Sequence, residues 1–230
     1  MTRYRVKTDI MKNVLYALNS DKLCNEQLFR RYYAQTDSER QLKTDRFRFE
    51  KDKRLSVGAG ILLRHGLMKL GITDFRLGYG RNEKPFVIGR SDIFFNISHS
   101  GSFAVCAFSD KPVGVDIEEH HKFDDEFMRA VFTESETAHL SSFSEDRDIA
   151  CTDLWTVKES LMKHSGTGLS LEPKEVHIIS VGPLKAQVRG YDCEKLNFTL
   201  YDDIDGYSLT VCSEYERFSD NVEFFTEWDQ

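Results

Sequence analysis

The stretch Val113-Gly-Val-Asp116-Ile-Glu118 places two acidic residues two positions apart in a short, β-branched run. Side chains alternate between the two faces of a β-strand, so Asp116 and Glu118 are predicted to point to one side of a sheet. Val115 and Ile117 then face the other side. Taken alone, an acidic pair at a strand end is more often a solvated edge than a site.

A second acidic segment lies about forty residues later. A helix is predicted at 146–164, with Gly166 as its stop signal. Its apolar residues recur at helical spacing on one face: Ala150, Leu154, Val157 and Leu161. On the adjoining face Trp155, Glu159 and Lys163 follow at intervals of four, stacked one turn above another. If this helix lies across the end of the strand, three carboxylates and a lysine meet at one point.

Carboxylate oxygens are hard ligands that suit Mg²⁺, which keeps several waters and completes its coordination with phosphate oxygens of a substrate. The two segments together therefore predict a magnesium-assisted phosphoryl-type transfer centre that takes a diphosphate-bearing substrate. The plain alternative is a surface pair, since a Glu and a Lys four apart on a helix usually contribute only about 0.3–0.5 kcal/mol.

The composition is that of a globular protein. The 230 residues are 40% hydrophobic and 12% aromatic and include four prolines, enough for one large domain or two small ones. No apolar stretch is long enough to span a bilayer, and the start lacks a signal core. The five cysteines are dispersed and favour reduced thiols. We therefore expect a cytoplasmic protein that does not associate with membranes.

The net charge is −7, and the charged residues are unevenly distributed along the chain. Residues 30–54 include nine basic and five acidic side chains, whereas 191–230 include two basic and eleven acidic. A basic N-terminal surface suits a compact polyanion, such as a nucleotide phosphate, or an acidic protein partner. Nucleic-acid binders normally show a broader basic footprint, so no nucleic-acid partner is expected.

Local patterns predict the order of helices and strands. Helices are predicted at 11–18, 23–33, 54–70 and 146–164. Two further helices are predicted to begin with a capping box, one at Ser38 with Gln41 and one at Thr133 with Glu136. Strands are predicted at 3–8, 93–98, 102–108, 113–117, 176–181, 186–189, 197–201 and 207–213, the second to fourth as a meander and the last two around an Asp205-Gly206 turn.

The order of helices followed by strands occurs twice, in halves that meet near residues 109–112. We therefore expect an α+β fold of two similar α/β lobes in a pseudo-two-fold arrangement, with the active site at the lobe interface. The N-terminal lobe would comprise residues 1–110 and the C-terminal lobe residues 111–230. Two tightly packed lobes in one chain would make a monomer sufficient.

The chain resembles the Sfp-type 4′-phosphopantetheinyl transferases in a three-part signature. The parts are Phe95-Asn-Ile-Ser98-His99-Ser100, Gly114-Val-Asp-Ile-Glu118 and Trp155-Thr-Val-Lys158-Glu159-Ser-Leu-Met-Lys163, followed by Gly166-Thr-Gly168-Leu169. The resemblance runs from about residue 54 to residue 171. It implies the fold of that family and a transferase that moves the 4′-phosphopantetheine arm of coenzyme A to a serine of an apo carrier protein, of acyl, peptidyl or polyketide type, releasing adenosine 3′,5′-bisphosphate.

The resemblance also implies roles for individual residues. Asp116, Glu118 and Glu159 would hold Mg²⁺ against the pyrophosphate of coenzyme A, the co-substrate. Glu159, or a water on the metal, would take the serine proton, so Glu159, Lys163 and Asp116 form the catalytic set. The phosphate contacts of coenzyme A would lie largely in the N-terminal lobe. The residues expected to contact coenzyme A are Arg54, Lys84, Pro85, Ser98, His99, Lys158 and Lys163.

The correspondence is weaker upstream. Arg81-Asn-Glu83 interrupts the usual glycine–lysine junction before Lys84-Pro85. Arg40 and Lys43 are further candidates for phosphate contacts, although their distance to Arg54 does not line up with the family. A groove for the carrier helix is expected at the exposed apolar residues Leu169 and Leu171 and at the helix over 127–132.

Two other functions remain open at this point. A magnesium-dependent phosphoesterase could use the same carboxylates to hydrolyse coenzyme A or a nucleotide, and a non-catalytic module could bind coenzyme A or a carrier. A hydrolase triad of Ser98, His99 and Asp116 is excluded because no nucleophile elbow surrounds the serine. His120-His121 is interpreted as the start of an exposed loop rather than a metal site.

Overall fold

The structure is a computed structural model of the chain that describes residues 13–143, 146–179 and 185–228, with only the backbone of Arg81 and Leu169. Its helices are α1 Glu26–Tyr33, α2 Ser38–Arg46, α3 Glu50–Lys69, α4 Asp125–Val131, α5 Glu134–Leu140 and α6 Arg147–Ser165. Its strands are β1 Val14–Asn19, β2 Leu77–Tyr79, β3 Pro85–Val87, β4 Phe94–Ser100, β5 Phe103–Ser109, β6 Val113–Glu119, β7 Val176–Ile179, β8 Lys185–Val188, β9 Asn197–Tyr201, β10 Tyr207–Ser213 and β11 Val222–Phe224. The strand predicted at 3–8 lies outside the described residues.

The N-terminal lobe is a four-stranded sheet in the order β11-β1-β5-β4, with the small β2–β3 hairpin beside it. β1 and β4 both pair antiparallel with β5. The 20-residue helix α3 packs on this sheet, and its Leu62 and Leu67 share an apolar cluster with Phe108 of β5. Burial of this helix face holds the first lobe together.

The C-terminal lobe repeats this plan. Its sheet has the order β6-β10-β9, all antiparallel, and a β7–β8 hairpin lies alongside. The 19-residue helix α6 packs on β6 and β10. Each lobe thus consists of one long helix on a largely antiparallel sheet, so the predicted α+β fold with two similar lobes is confirmed.

The lobes meet through their sheets. β4 ends one sheet and β6 ends the other, and the two strands lie side by side. An apolar cluster lies between the sheets and includes Leu15, Val105, Val115, Leu209 and Val211. The last strand, β11, crosses back and pairs parallel with β1. This strand of the predicted C-terminal lobe, 111–230, therefore lies in the sheet of the first lobe, and for the rest of the chain the assignment of residues 1–110 and 111–230 to separate lobes stays a prediction.

Two predicted elements are wrong. Residues 14–18 of the helix predicted at 11–18 form most of β1, the strand between β5 and β11. Its apolar run Val14–Leu18 is mostly buried, as expected of an interior strand covered on both faces, and periodicity alone does not separate such a run from a helix. The predicted meander also stops after two strands, because β6 pairs with β10 instead of β5.

The first residues of the helices show how closely local capping signals predict where a helix begins. At α5 the side chain of Thr133 accepts from the Glu136 N–H and Glu136 accepts from the Thr133 N–H, so this capping box is confirmed. At α2 the cap is Asp37, whose side chain accepts from the Arg40 N–H, so the predicted Ser38 cap was one residue late. α3 begins at Glu50, four residues before its predicted start.

Gly114 permits the close approach of α6 to β6. A Cβ at this position would overlap the carbonyl oxygen of Ser160 and the backbone nitrogen of His164. The side chains that α6 presents to the sheet are small as well: Thr152, Thr156 and Ser160 are fully buried, and the Thr156 and Thr210 hydroxyls lie 2.8 Å apart. Backbone-to-backbone packing therefore fixes the height of α6 above β6.

Gly114→Ala should lower the free energy of unfolding by about 3 kcal/mol or more, because the new methyl group meets backbone rather than a movable side chain. Urea unfolding followed by circular dichroism measures the change. Gly80→Ala is the matched control, since its Cβ would make only an ordinary contact, 3.6 Å from the Lys84 oxygen. Equal stability of the two variants would contradict this packing.

Candidate active site

The acidic pair lies on β6 as the alternation predicts. Val115 and Ile117 are fully buried in the apolar cluster between the sheets. Asp116 and Glu118 point the other way, toward α6 and β4: Asp116 is 2% exposed, and Glu118 is partly buried. The strand therefore presents two carboxylates on one side at the lobe interface.

Lys163 connects α6 to the acidic pair Asp116 and Glu118. Its ammonium lies 2.6 Å from Oδ1 of Asp116 and 2.7 Å from the Ser98 hydroxyl, while Ser98 donates to the same Oδ1 at 2.8 Å. Three elements thus contribute to one bonded group: β4 through Ser98, β6 through Asp116 and α6 through Lys163. The predicted meeting of strand and helix is observed.

Glu159 stands one turn before Lys163 on the same helix face. Burial, followed by the negative charge of Asp116, raises the pKa of Glu159 from 4.5 to about 7, and Glu118 adds to the effect. Burial and Asp116 likewise raise the pKa of Glu118. Asp116 therefore lies close enough to Glu118 and Glu159 for its negative charge to oppose the ionisation of both.

The donor set suits a hard divalent cation. The Oδ2 atom of Asp116 is buried and accepts no hydrogen bond in the described part of the chain, which leaves a costly unmatched acceptor. Among the described residues, no three acidic, histidine or cysteine side chains are already arranged as a metal cage. Mg²⁺ commonly takes one or two carboxylates and completes its coordination with water and phosphate, so these residues fit that ion.

A group of cations lies beside the acids. Desolvation lowers the pKa of His99, and the positive charges of Lys163, Lys43 and Arg40 lower it further. Desolvation and the positive charge of Arg40 also lower the pKa of Lys43, and the negative charge of Glu83 partly offsets this lowering. Residues of α2 therefore share an electrostatic environment with the end of β4, a grouping that suits a multiply charged anion.

Arg54, near the start of α3, carries a second unmatched polar atom. Its Nε is buried and donates no hydrogen bond in the described part of the chain. A buried guanidinium donor without an acceptor is costly, and phosphate oxygens match its geometry. The predicted phosphate contact at Arg54 is compatible with this placement and stays a prediction.

The structure corrects the prediction that Lys158 contacts phosphate. Its side chain is fully buried. Its ammonium lies 2.7 Å from the Glu136 carboxylate and donates to the carbonyl oxygens of Val131 and Pro173. All three donors of the ammonium are therefore used to join α4, α5 and the turn before β7. Lys158 is a structural residue.

The Lys84 ammonium is likewise bonded within the protein, while the predicted coenzyme A contact of Lys84 stays a prediction. Its ammonium donates to the carbonyl oxygens of Lys163 at 2.6 Å, His164 at 3.1 Å and Val113 at 3.2 Å. Burial lowers the pKa of Lys84 to about 8. A cation at the last carbonyls of α6 satisfies acceptors that the helix end leaves open. Lys84 thus joins the lobes.

The inserted segment before Lys84 makes a second tie between the lobes. Asn82, with φ 52°, donates through its amide to the carbonyl oxygens of Gly166, at 2.9 Å, and Thr167, at 2.5 Å. Asparagine tolerates this left-handed backbone better than most residues. The departure from the family pattern at 81–83 therefore anchors the β2–β3 hairpin on the end of α6.

A cavity of about 670 Å³ lies behind this hairpin at the lobe junction. It is lined by Lys84, Pro85 and apolar residues of both lobes, including Phe86, Val87, Phe94, Phe95, Pro112 and Val113. The three carboxylates do not line it. Pro85 therefore faces a cavity separate from the acidic group, and its predicted coenzyme A contact stays a prediction.

The apolar residues expected to receive a carrier helix are largely buried. Met128, Val131 and Phe132 lie in an apolar cluster with α6, and Phe127 contacts Trp155 edge-on, with ring centroids 5.2 Å apart. Leu171 is half-buried, against another cluster, and the side chain of Leu169 lies outside what the structure describes. This apolar face therefore anchors α4 on α6, and the carrier groove expected at Leu169, Leu171 and 127–132 stays a prediction.

Sequence reasoning gave Asn96 and Ser100 no role in the site. The Asn96 side-chain oxygen accepts from the Val115 N–H at 2.8 Å, and the Ser100 hydroxyl donates to Glu118 at 2.7 Å. Both lie on β4 at the two-residue period of Ser98. That polar alternation was the available signal, but nothing local shows that β6 is the neighbour of this edge.

No helix in the described ranges has the length and apolar character that crossing a membrane requires.

Comparisons with known proteins identify the family. The family model described as "4'-phosphopantetheinyl transferase superfamily" matches residues 112–212, and the one described as "4'-phosphopantetheinyl transferase, N-terminal" matches residues 24–111. A 4'-phosphopantetheinyl transferase of Bacillus subtilis is 30% identical over 205 residues, 85% of this chain and 90% of the relative. The 4'-phosphopantetheinyl transferase Sfp of Bacillus subtilis (strain 168) is 27% identical over 218 residues, 90% of this chain and 95% of the relative.

Among solved structures, Thermotoga maritima holo-[acyl-carrier-protein] synthase (AcpS) aligns with 44% of this chain and 61% of its own, at 21% identity and a TM-score of 0.37. The chain belongs to the 4′-phosphopantetheinyl transferase family. The protein is thus an enzyme that transfers 4′-phosphopantetheinyl groups, and the predicted family and enzyme class are confirmed.

The raised pKa of Glu159 has a consequence for stability. The folded protein holds this proton more tightly than the unfolded chain, so the ion-free protein loses stability as the pH rises from 4.5 to about 7. Glu159→Gln should therefore raise the free energy of unfolding at pH 8 by up to about 3 kcal/mol, and much less at pH 5.

Urea unfolding in the presence of a chelator measures this difference at both pH values. Glu126→Gln, on the exposed side of α4, is the control and should change little at either pH. A Glu159→Gln variant that is destabilised at pH 8 would show that the carboxylates do not repel each other as described.

Lys158→Met should lower the free energy of unfolding by about 3–5 kcal/mol, because it leaves the Glu136 carboxylate buried without its cation. The exposed Lys174→Met is the matched control. Thermal unfolding measures both. A stable Lys158→Met variant with weakened substrate binding would instead restore the phosphate role that the burial of Lys158 argues against.

Proposed function

We propose that the protein transfers the 4′-phosphopantetheine arm of coenzyme A to a serine hydroxyl of an apo carrier protein and releases adenosine 3′,5′-bisphosphate. The observation that carries this proposal is the bonded group of Lys163, Asp116 and Ser98, with Glu159 and Glu118 close by. The group places the partly buried ammonium of Lys163 beside carboxylates at the lobe interface, in a chain that belongs to the transferase family.

Glu159 suits the role of general base for the incoming serine. In the ion-free protein, burial and the neighbouring carboxylates raise the pKa of Glu159 to about 7, so this side chain takes up a proton more readily than an ordinary glutamate. Glu159 lies on α6 one turn before Lys163, next to Asp116 and Glu118. Proton removal makes the serine oxygen the nucleophile that attacks the β-phosphorus of coenzyme A.

The cations position and neutralise the phosphates. Lys163 is held by Ser98 and Asp116, so its ammonium is fixed before the substrate arrives. Arg40 and Lys43 supply positive charge beside His99, and Arg54 has an unmatched buried donor. We assign the 3′-phosphate of coenzyme A to these N-terminal residues, which gives the N-terminal lobe, 1–110, the phosphate contacts.

The C-terminal lobe, 111–230, would hold the metal. Asp116, Glu118 and Glu159 are the proposed ligands of Mg²⁺, and the unmatched Oδ2 of Asp116 supports this choice. When bound, the ion would stabilise the negative charge that develops on the pyrophosphate oxygens. The chain would act as a monomer in the cytoplasm, where its five free cysteines stay reduced.

The test is to incubate the protein with coenzyme A, Mg²⁺ and an apo carrier protein and to measure the intact mass of the carrier. A gain of one phosphopantetheine arm that is abolished by a chelator is expected. Glu159→Gln should lower turnover by a factor of about 100 or more, because one substitution removes a metal ligand and the base.

Other results would contradict the proposal in distinguishable ways. Consumption of coenzyme A with an unchanged carrier would indicate the phosphoesterase, and binding of coenzyme A without consumption would indicate a non-catalytic module. Full activity of Glu159→Gln would remove the role given to Glu159 while leaving the transferase reaction in place.

A further inference from the structure

Side chains of β4, rather than backbone groups, hold β6 in place across the lobe junction. Asn96 accepts from the Val115 N–H at 2.8 Å, and Ser98 donates to Asp116 at 2.8 Å. Ser100 donates to Glu118 at 2.7 Å. Asn96, Ser98 and Ser100 follow the two-residue period of β4, and Asp116 and Glu118 each accept from one of the two serines.

Ser100 makes two bonds at the end of this row. Its hydroxyl donates to Oε2 of Glu118 and accepts from the Glu119 N–H at 3.1 Å. The second bond places the hydroxyl oxygen against the backbone of β6, and its proton is directed at the neighbouring carboxylate. Glu118 is thereby held in one orientation, with its other oxygen left for a further partner.

We propose that Ser100 is a positioning residue that presets Glu118 for a divalent cation shared with Asp116. This inference rests on the proposed metal site. Ser100 acts through Glu118 and does not itself contact the ion or the substrate.

The expected size of the effect follows from comparable sites. Hydrogen-bond partners that orient a metal ligand typically change metal affinity by about 10- to 100-fold when they are removed. Loss of the Ser100 hydroxyl frees the Glu118 carboxylate to rotate and leaves the Glu119 N–H without its acceptor. The first consequence weakens metal binding, whereas the second acts on stability alone.

The experiment measures the affinity of the wild-type protein and of Ser100→Ala for Mn²⁺, by the electron paramagnetic resonance signal of the free ion, with and without coenzyme A. The expected result is a 10- to 100-fold weaker affinity in Ser100→Ala. Ser102→Ala is the matched control: Ser102, in the following turn, bonds through its backbone to Tyr207 and Ser20, and its variant should bind Mn²⁺ like the wild type.

A double-mutant cycle separates positioning from a general loss of structure. If Ser100 acts through Glu118, Ser100→Ala should have no further effect on Mn²⁺ affinity in a Glu118→Gln background. Should the alanine variant not fold, Ser100→Thr and Ser100→Val are compared, because they differ in the hydroxyl at nearly constant size; the threonine variant should retain the affinity.

The outcomes distinguish this inference from the proposed function. Wild-type affinity in Ser100→Ala or Ser100→Val, or an equal loss in the Glu118→Gln background, would overturn the positioning role and leave the metal site intact. Failure of the wild-type protein to bind Mn²⁺ under either condition would overturn both the metal site and the role of Ser100.

Discussion

The close packing of α6 on β6 is the constraint on which the site depends. Gly114 has no side chain, so the helix backbone at Ser160 and His164 can approach the strand directly. Lys163 is thereby brought within 2.6 Å of Asp116, which lies 47 residues earlier in the sequence. Glu159 follows on the same helix face, so one packing contact determines the relative positions of the acids and the lysine.

The charge arrangement of the site is unfavourable without a ligand. Burial and the negative charge of Asp116 raise the pKa values of Glu118 and Glu159, while desolvation and the neighbouring cations lower that of His99. A phosphate-rich substrate bound with a divalent cation would neutralise both groups together. Functional sites often keep such locally unfavourable arrangements, which the rest of the fold must stabilise.

The sequence predicted what depends on local periodicity. The acidic pair on a strand, the four-residue spacing of Glu159 and Lys163, and the cap at Thr133 all follow from short-range geometry. Prediction from the sequence failed where the structure or role of a segment depends on a partner far along the chain. The apolar run of β1 is a strand because α3 covers one of its faces and the second sheet covers the other. Lys158 and Lys84 are engaged by acceptors 22 and 79 residues away. No local pattern reports such partners.

The central claim is that Asp116, Glu118 and Glu159 share one divalent cation at the lobe interface. Crystals grown with coenzyme A and Mn²⁺ test it most directly, since anomalous diffraction locates the ion independently of the protein atoms. The account predicts one anomalous peak within coordination distance of oxygens from all three side chains. A peak elsewhere, or an ion that contacts the phosphates but none of these carboxylates, would contradict it.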